Sequence, residues 1–378
     1  MSVDELVDVS RRYGSNPDWV LAGGGNTSFK DESTLYIKAS GFPLATIGPE
    51  GFARMDRRAL ARIWEADYPE STSEREAAAL ADLMAARVAG EDKRPSVETL
   101  MHELFPYPLV VHTHPSLANG LTCAIDGEAA AKRLFGSRLL WIPAIEPGYV
   151  LAREMRRAAQ AHAEQTGTFP RLVLLQNHGL VVAGESAAEI DALHREVERL
   201  IRGQLDREPD LSGAAEDAAA RSRWEGAIET AFEHEVAVAF TTNVELMRRL
   251  ESEEAFSPLA VAFTPDHIVY AGSAPILVSG SPVNSAAGLR SRITSYRADH
   301  GSEPRIVAVV GLGVFAVAES RGACETALSL FTDELKIAAY ADSFGGARPL
   351  DPFLVRFIES WEVERYRKKI SGGGKGNG

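Results

Sequence analysis

The chain has 378 residues, 45% of them hydrophobic and 25% charged, with a formal net charge of −13. This suits a soluble chain of two domains or one large one, and the acidic balance argues against nucleic acid as a partner. Two cysteines, Cys123 and Cys324, exclude a disulfide framework and point to a reducing cytoplasm, and no run reaches the roughly 18 apolar residues of a membrane span.

Met1 to Arg12 carries acidic residues and no apolar core segment, so it does not read as a signal peptide. Asp4 to Tyr13 reads as a helix ended by Gly14-Ser15-Asn16-Pro17. Trp19-Val20-Leu21 reads as a short strand running into Ala22-Gly23-Gly24-Gly25-Asn26-Thr27-Ser28. That loop is open to two readings, a plain hairpin turn or an anion cradle of backbone N–H groups. It lacks the Gly-Lys-Ser/Thr of a Walker loop, and no helix pattern follows as in a dinucleotide fingerprint. Thr34 to Ala39 alternates as a strand into Ser40-Gly41; Thr46-Ile47 and Phe52 to Met55 read as further strands. Asp56 caps a helix from Arg57 to about Ala66, and Ser73 to Val88 is an alanine-rich helix. Ser96 is a natural N-cap, which places Glu98 in a first turn, where a negative charge is favoured anyway, and His102 one turn along as an ordinary helix residue.

Val110-Val111-His112-Thr113-His114-Pro115 reads as a strand that ends at its proline. Residues two apart share a face, so both imidazoles project to one side. Alone the pair is as easily two polar residues on an exposed edge; His178, at the exit of the apolar run Arg171 to Leu175, supplies a third imidazole. Further on, Ser116 to Cys123 reads as a helix, Leu139 to Ile145 as a strand, Tyr149 to Thr166 as a long helix stopped by Gly167, and Ser186 to Arg202 as an amphipathic helix. Asp206 to Ala220 reads as a linker or loosely packed helix, giving domains at 1–215 and 220–370, with 371–378 a disordered tail. In the second domain Trp224 to Leu250 reads as helical, Leu259 to Phe263, His267 to Ala271 and Pro275 to Val278 as strands, and Gly288 to Arg297 and Cys324 to Tyr340 as helices.

Pro304 to Gly313 matches Pro170 to Gly179 at an offset of 134 residues, and Glu319-Ser320 matches Glu185-Ser186. This sets Leu312 against His178. A weaker echo sets Pro258 to Pro265 beside Pro108 to Pro115, and so Ala262 and Thr264 against His112 and His114. Either the second half is a decayed copy of the first, or two βα units share a periodicity without duplication.

In order, Gly25-Asn26-Thr27-Ser28, Ser40-Gly41, Pro95-Ser96-Val97-Glu98, His112-Thr113-His114-Pro115 and Asn177-His178-Gly179 resemble the motifs of the class II aldolase/adducin family over residues from about 10 to 205. Within it, the chain is most similar to the aldolase part of bacterial bifunctional rhamnulose-phosphate aldolase/alcohol dehydrogenases. The resemblance implies an α/β fold: an α/β/α sandwich around a mostly antiparallel central sheet, followed here by a smaller α/β domain. It implies a Zn2+ (or other divalent metal) site of His112, His114 and His178, Glu98 as catalytic acid/base, and phosphate binding by Asn26, Thr27, Ser40, Gly41 and Ser96. The family has Ser-Ser-Glu where this chain has Ser96-Val97-Glu98, one hydroxyl fewer for a phosphate. Some relatives use a tyrosine of a neighbouring subunit as proton donor, and Tyr149 is the candidate. The implied function is cleavage of a ketose 1-phosphate of rhamnulose or fuculose type to dihydroxyacetone phosphate and an aldehyde, in a cytoplasmic homo-oligomer. Its alternatives are a sugar-phosphate epimerase or dehydratase and a non-catalytic adducin-like assembly module. No glycine-rich dinucleotide loop is recognised, so no NAD is expected, nor a nucleic-acid or membrane partner. In this chemistry burial of Glu98 is expected to raise its pKa.

Overall fold

A computed structural model describes residues 2–280 and 286–361. The expected tail at 371–378 lies outside the described residues. Two compact units divide at Gln204/Leu205, and Cys123–Asp126 belongs with the second.

The first unit opens with α1 (Val3–Gly14), whose N-terminus is closed by a capping box: Ser2 accepts from the Glu5 amide and Glu5 accepts in return. No strand forms at Trp19–Leu21, because the amides of Trp19 and Val20 both bond back to the Asn16 carbonyl and close a turn. The strand starts later, as β1 (Asn26–Lys30), followed by β2 (Thr34–Lys38). Leu44–Thr46 is a 3-10 turn where a strand was expected at Thr46-Ile47, and β3 (Phe52–Asp56) follows. Helices α2 (Arg57–Ile63), α3 (Thr72–Ala85) and α4 (Thr99–Glu103) precede β4 (Leu109–Thr113). Then come α5 (Ser116–Thr122), α6 (Gly127–Phe135), β5 (Leu139–Ile142), α7 (Tyr149–Thr166), β6 (Leu172–Leu175), β7 (Gly179–Gly184) and α8 (Ala187–Arg202).

These strands make one sheet in the order β3-β2-β1-β4-β7-β6-β5, antiparallel throughout except for the β5–β6 pair. Alternation along each strand sends side chains to two apolar layers. Val110, Val173, Val181 and Ala183 pack with Met101, Phe105, Leu151 and Met155 of α4, α7 and their flanks. Helices α1, α5 and α8 pack on β1 and β7. The chain therefore has the α/β/α sandwich around a mostly antiparallel sheet. His112 lies two residues beyond Val110 on a strand buried along its whole length, and so faces α4.

The second unit holds α9 (Ala218–Ala231), β8 (Ala237–Thr241), α10 (Val244–Arg249), α11 (Glu253–Phe256), α12 (Pro265–Tyr270), β9 (Ile276–Val278), α13 (Ala286–His300), β10 (Ile306–Val309), β11 (Gly313–Ala318), α14 (Arg321–Ala341) and α15 (Pro352–Ser360). It too is α/β, with a sheet in the order β8-β11-β10-β9. Three expectations are corrected here. The segment Trp224–Leu250 is not one helix: β8 interrupts it, and Asn243 starts α10 anew by accepting from the Leu246 amide at 2.7 Å. His267–Ala271 is helical rather than extended, because Thr264 caps and Pro265 fills the first position of α12, while Leu259 closes a 3-10 turn.

The offset of 134 residues holds at element ends: Leu172 with Ile306, Gly179 with Gly313, Ala187 with Arg321. In both sheets a parallel pair leads into a hairpin that then meets an antiparallel strand. That last strand is β4 in the first unit and β8 in the second. Thr113 pairs with Leu180 as Thr241 pairs with Val314, so Phe240 and Thr242 stand where His112 and His114 do. The echo that set Ala262 and Thr264 there is overturned, since a 3-10 turn and a helix cap occupy that stretch. Leu312 keeps its place opposite His178.

Candidate active site

The strand β4 delivers His112 and, just past its end, His114; the tight β6–β7 turn delivers His178. Asn177 sits in that turn with φ 55°, a left-handed conformation that asparagine tolerates better than most residues. Gly179 follows because nothing larger fits: a Cβ there would lie 2.5 Å from the Thr113 carbonyl oxygen and 2.7 Å from His114 Cδ2. The donor groups of the three imidazoles all lie within 4.8 Å of one another, with His112 Nε2 and His114 Nε2 3.0 Å apart. Among the described residues no other group of three or more His, Cys, Asp or Glu side chains is gathered in this way.

A hydrogen bond fixes the orientation of His112. Its Nδ1 donates to the Leu180 carbonyl at 3.0 Å, which turns Nε2 toward the centre of the triad. Burial holds His178 below its usual pKa, against the pull of Glu98. The 3.0 Å between His112 Nε2 and His114 Nε2 matches an edge of a tetrahedron around a divalent metal with bonds of about 2 Å, and His178 lies within reach of the same centre. The donor set therefore fits such an ion.

Glu98 stands at the N-cap of α4, one residue before the first turn expected for it. Its side chain is 12% exposed. One oxygen, Oε1, lies 3.2 Å from His178 Nε2 and 3.5 Å from His112 Nε2. The other, Oε2, accepts from the Asn26 amide at 2.5 Å. The expected rise in the Glu98 pKa does not occur. Burial does push it up, but the imidazoles of His112 and His178 outweigh burial and hold it well below the usual carboxylate range.

The remaining expected residues fall into two groups. Ser40 and Ser96 are brought together by a bridge between Ala39 and Pro95: the Ser40 amide donates to the Arg94 carbonyl and the Ser96 amide to that of Lys38. Gly41, with φ 92°, turns the chain beside them. Buried Lys38 donates to the Gly23 carbonyl at 3.2 Å and so ties this corner to the glycine loop. Asn26 and Thr27 are strand residues, not loop residues, and point to opposite faces. The Thr27 hydroxyl is buried against Ser10 of α1 at 2.5 Å, away from Glu98. The Asn26 amide donates to Glu98 and, at 3.3 Å, to Ser96 Oγ. Tyr149 is a core residue whose ring packs edge-on against Tyr68.

Sequence reasoning left His102 as an ordinary helix residue. In the fold it is fully buried, with Nδ1 2.7 Å from Ser28 Oγ and Nε2 hydrogen-bonded to Asn26 Oδ1. Buried Lys30 donates to the carbonyls of His102, Glu103 and Phe105. Asn26, Ser28 and Lys30 alternate along β1 onto one face, which was the available signal once β1 was recognised as a strand.

A family model, the class II aldolase and adducin N-terminal domain, matches residues 4–205. The chain is 24% identical over 417 aligned positions to the uncharacterized oxidoreductase YuxG of Bacillus subtilis (strain 168). That alignment covers 98% of this chain and 58% of the relative, so the chain spans somewhat over half the relative's length. Among solved structures, the N-terminal class II aldolase domain of a conserved protein from Thermoplasma acidophilum is 28% identical, covering 54% of this chain and 93% of that one at a TM-score of 0.46. The L-fuculose-1-phosphate aldolase of Thermus thermophilus is 18% identical, covering 52% and 88% at a TM-score of 0.34.

Proposed function

This chain belongs to the class II aldolase and adducin family, and from that premise we propose that it is a zinc-dependent aldolase. Its reaction would be the cleavage of a ketose 1-phosphate of rhamnulose or fuculose type to dihydroxyacetone phosphate and an aldehyde. The observation that carries this reading is the placement of one carboxylate, Glu98, within 3.2 to 3.5 Å of two imidazoles of the triad.

His112, His114 and His178 are the residues that would hold the ion. When bound, it supplies a Lewis acid for the negative charge that builds on the oxygens of a cleaving ketose. The chain's own residues do the rest. Glu98, held deprotonated, is in the state of a base and can take or return a proton at the carbon beside the carbonyl. Asn26 fixes one of its oxygens and leaves the other toward the triad. Ser40, Gly41, Ser96 and the backbone of Asn26 and Thr27 are the proposed phosphate contacts. Hydroxyls and amides there hold an anion without a second cation competing near the metal. The second unit is proposed to be a decayed copy of the first, and the chain to act as a cytoplasmic homo-oligomer.

The test is cleavage of L-fuculose 1-phosphate and L-rhamnulose 1-phosphate by zinc-loaded protein, read as aldehyde release with and without NAD. Turnover that is lost with chelator and indifferent to NAD supports the reading. Epimerised or dehydrated sugar without cleavage moves the chain to the alternative chemistries, and zinc binding without any turnover favours the assembly module. Glu98→Gln should keep the metal and lose about 10²- to 10⁴-fold in kcat.

A further inference from the structure

Behind Glu98, on the side away from the triad, runs a buried line of side chains: Asn26, His102 and Ser28 in succession. Each link constrains the next. Asn26 Nδ2 lies 2.5 Å from Glu98 Oε2, so Asn26 presents its NH2 group to the carboxylate. Its Oδ1 then faces His102 and needs a donor, which only a protonated Nε2 provides. A neutral imidazole with its proton on Nε2 has a bare Nδ1, and Ser28 Oγ, 2.7 Å away, donates to it. The opposite tautomer would ask Asn26 to turn its NH2 toward His102 and set its carbonyl oxygen against the Glu98 carboxylate.

We propose that His102 is a positioning residue, whose Nε2–H tautomer sets the Asn26 amide and thereby aims Glu98 at the substrate side of the triad. This rests on the reading of Glu98 as the acid/base. The ring is built to stay put. It is fully buried, and the ammonium of Lys30, also buried, clamps the carbonyls of His102, Glu103 and Phe105 at the end of α4. The Ser96 hydroxyl accepts from the Glu98 amide at 3.2 Å and from Asn26 at 3.3 Å, so Ser96 holds the Glu98 backbone, Asn26 holds its side chain, and the two are tied to each other. A misplacement of Glu98 by about an ångström is enough to cost a large factor in rate.

The experiment has two arms on full-length zinc-loaded protein. In the first, 15N-histidine NMR identifies the tautomer of His102, its signals assigned by their absence in His102→Gln. An Nε2–H ring supports the proposal, and an Nδ1–H ring overturns it. In the second, turnover on whichever ketose 1-phosphate the wild type cleaves is compared in a double-mutant cycle. His102→Leu should lower kcat about 10- to 100-fold with KM and bound zinc little changed. His102→Gln, which can still donate to Asn26, should recover part of the loss. In a Glu98→Gln background His102→Leu should cost nothing more, whereas a merely structural role would cost the same in both backgrounds. Should His102→Leu fail to fold, Asn26→Asp carries the same cycle, since it removes the NH2 donor at constant shape. Wild-type turnover in Glu98→Gln sinks the catalytic reading together with the proposal. An inactive Glu98→Gln beside a fully active His102→Leu or Asn26→Asp sinks the proposal alone.

Discussion

Single atoms decide the triad. A methyl group at Gly179 would collide with the Thr113 carbonyl and with His114, both needed where they are. Gly179→Ala should cost about 1 to 3 kcal/mol in stability as the strands give way, and should weaken zinc binding at least about tenfold by spreading the imidazoles. Chelator competition measures the affinity, and a wild-type value would show that the neighbouring strand absorbs the methyl without moving the ligands. In the second unit a different buried cluster has a pH signature. His267 Nε2 lies 3.0 Å from Asp333 and Nδ1 3.7 Å from Glu334. Burial pushes Glu334 up to about 7 despite His267, while Glu334, Asp333 and Asp266 together raise His267 against its own burial. Both groups hold protons more tightly folded than unfolded. Their contribution to stability is therefore full below the ordinary carboxylate pKa and falls as pH rises through about 7. The difference is worth about 1.4 kcal/mol for each unit by which a pKa is displaced. Glu334→Gln should flatten that fall: relative to wild type it gains stability on going from pH 5 to pH 8. Parallel thermal unfolding curves at the two pH values would count against the assignment.

At the scale of elements, caps and turns carried most of what the sequence disclosed. α1, α8 and α14 begin where Ser2, Ser186 and Ser320 can accept from an amide three residues on, and α7 ends at Gly167 in a left-handed conformation. Those signals are local and legible, although the helices expected from Asp4 and Cys324 begin at Val3 and Arg321. β1 and β8 were not, because each is a short strand bordered by residues that read otherwise, glycines before β1 and an acidic helical pattern before β8. Pairing with β4 and with β11 decides them. The β6–β7 turn shows the same dependence at finer grain. Asn177 occupies its left-handed position in the first unit and Gly311, with φ 71°, its counterpart in the second. Asn177→Gly should leave folding and zinc binding near wild type, while Asn177→Val should destabilise by about 1 to 3 kcal/mol, since a β-branched residue resists positive φ. Urea unfolding distinguishes the two. A Val variant as stable as wild type would mean that the turn can adopt another conformation.

At the scale of the whole molecule, two sheets share a plan and, among the described residues, only one gathers three imidazoles. Where His112, His114 and His178 stand, the second sheet has Phe240, Thr242 and Leu312, and the Phe240 ring packs on Phe315 at 4.8 Å and closes over Gly313. The full chain should therefore bind about one zinc, and His112→Ala with His114→Ala should release all of it; elemental analysis showing an ion retained would place a second site elsewhere. The amino-acid sequence by itself pointed to the family, to the three imidazoles that the fold gathers with Glu98 beside them, and to the 134-residue offset, because these rest on local spacing and on residue types with few alternative uses. Only the tertiary structure decided which strand of the second unit answers β4, that Thr27 turns away from Glu98, and that Asn26, His102 and Ser28 form a line behind it. Those are relations between residues as many as 76 positions apart. Strand register and burial set them, and neither is written in any short stretch of chain.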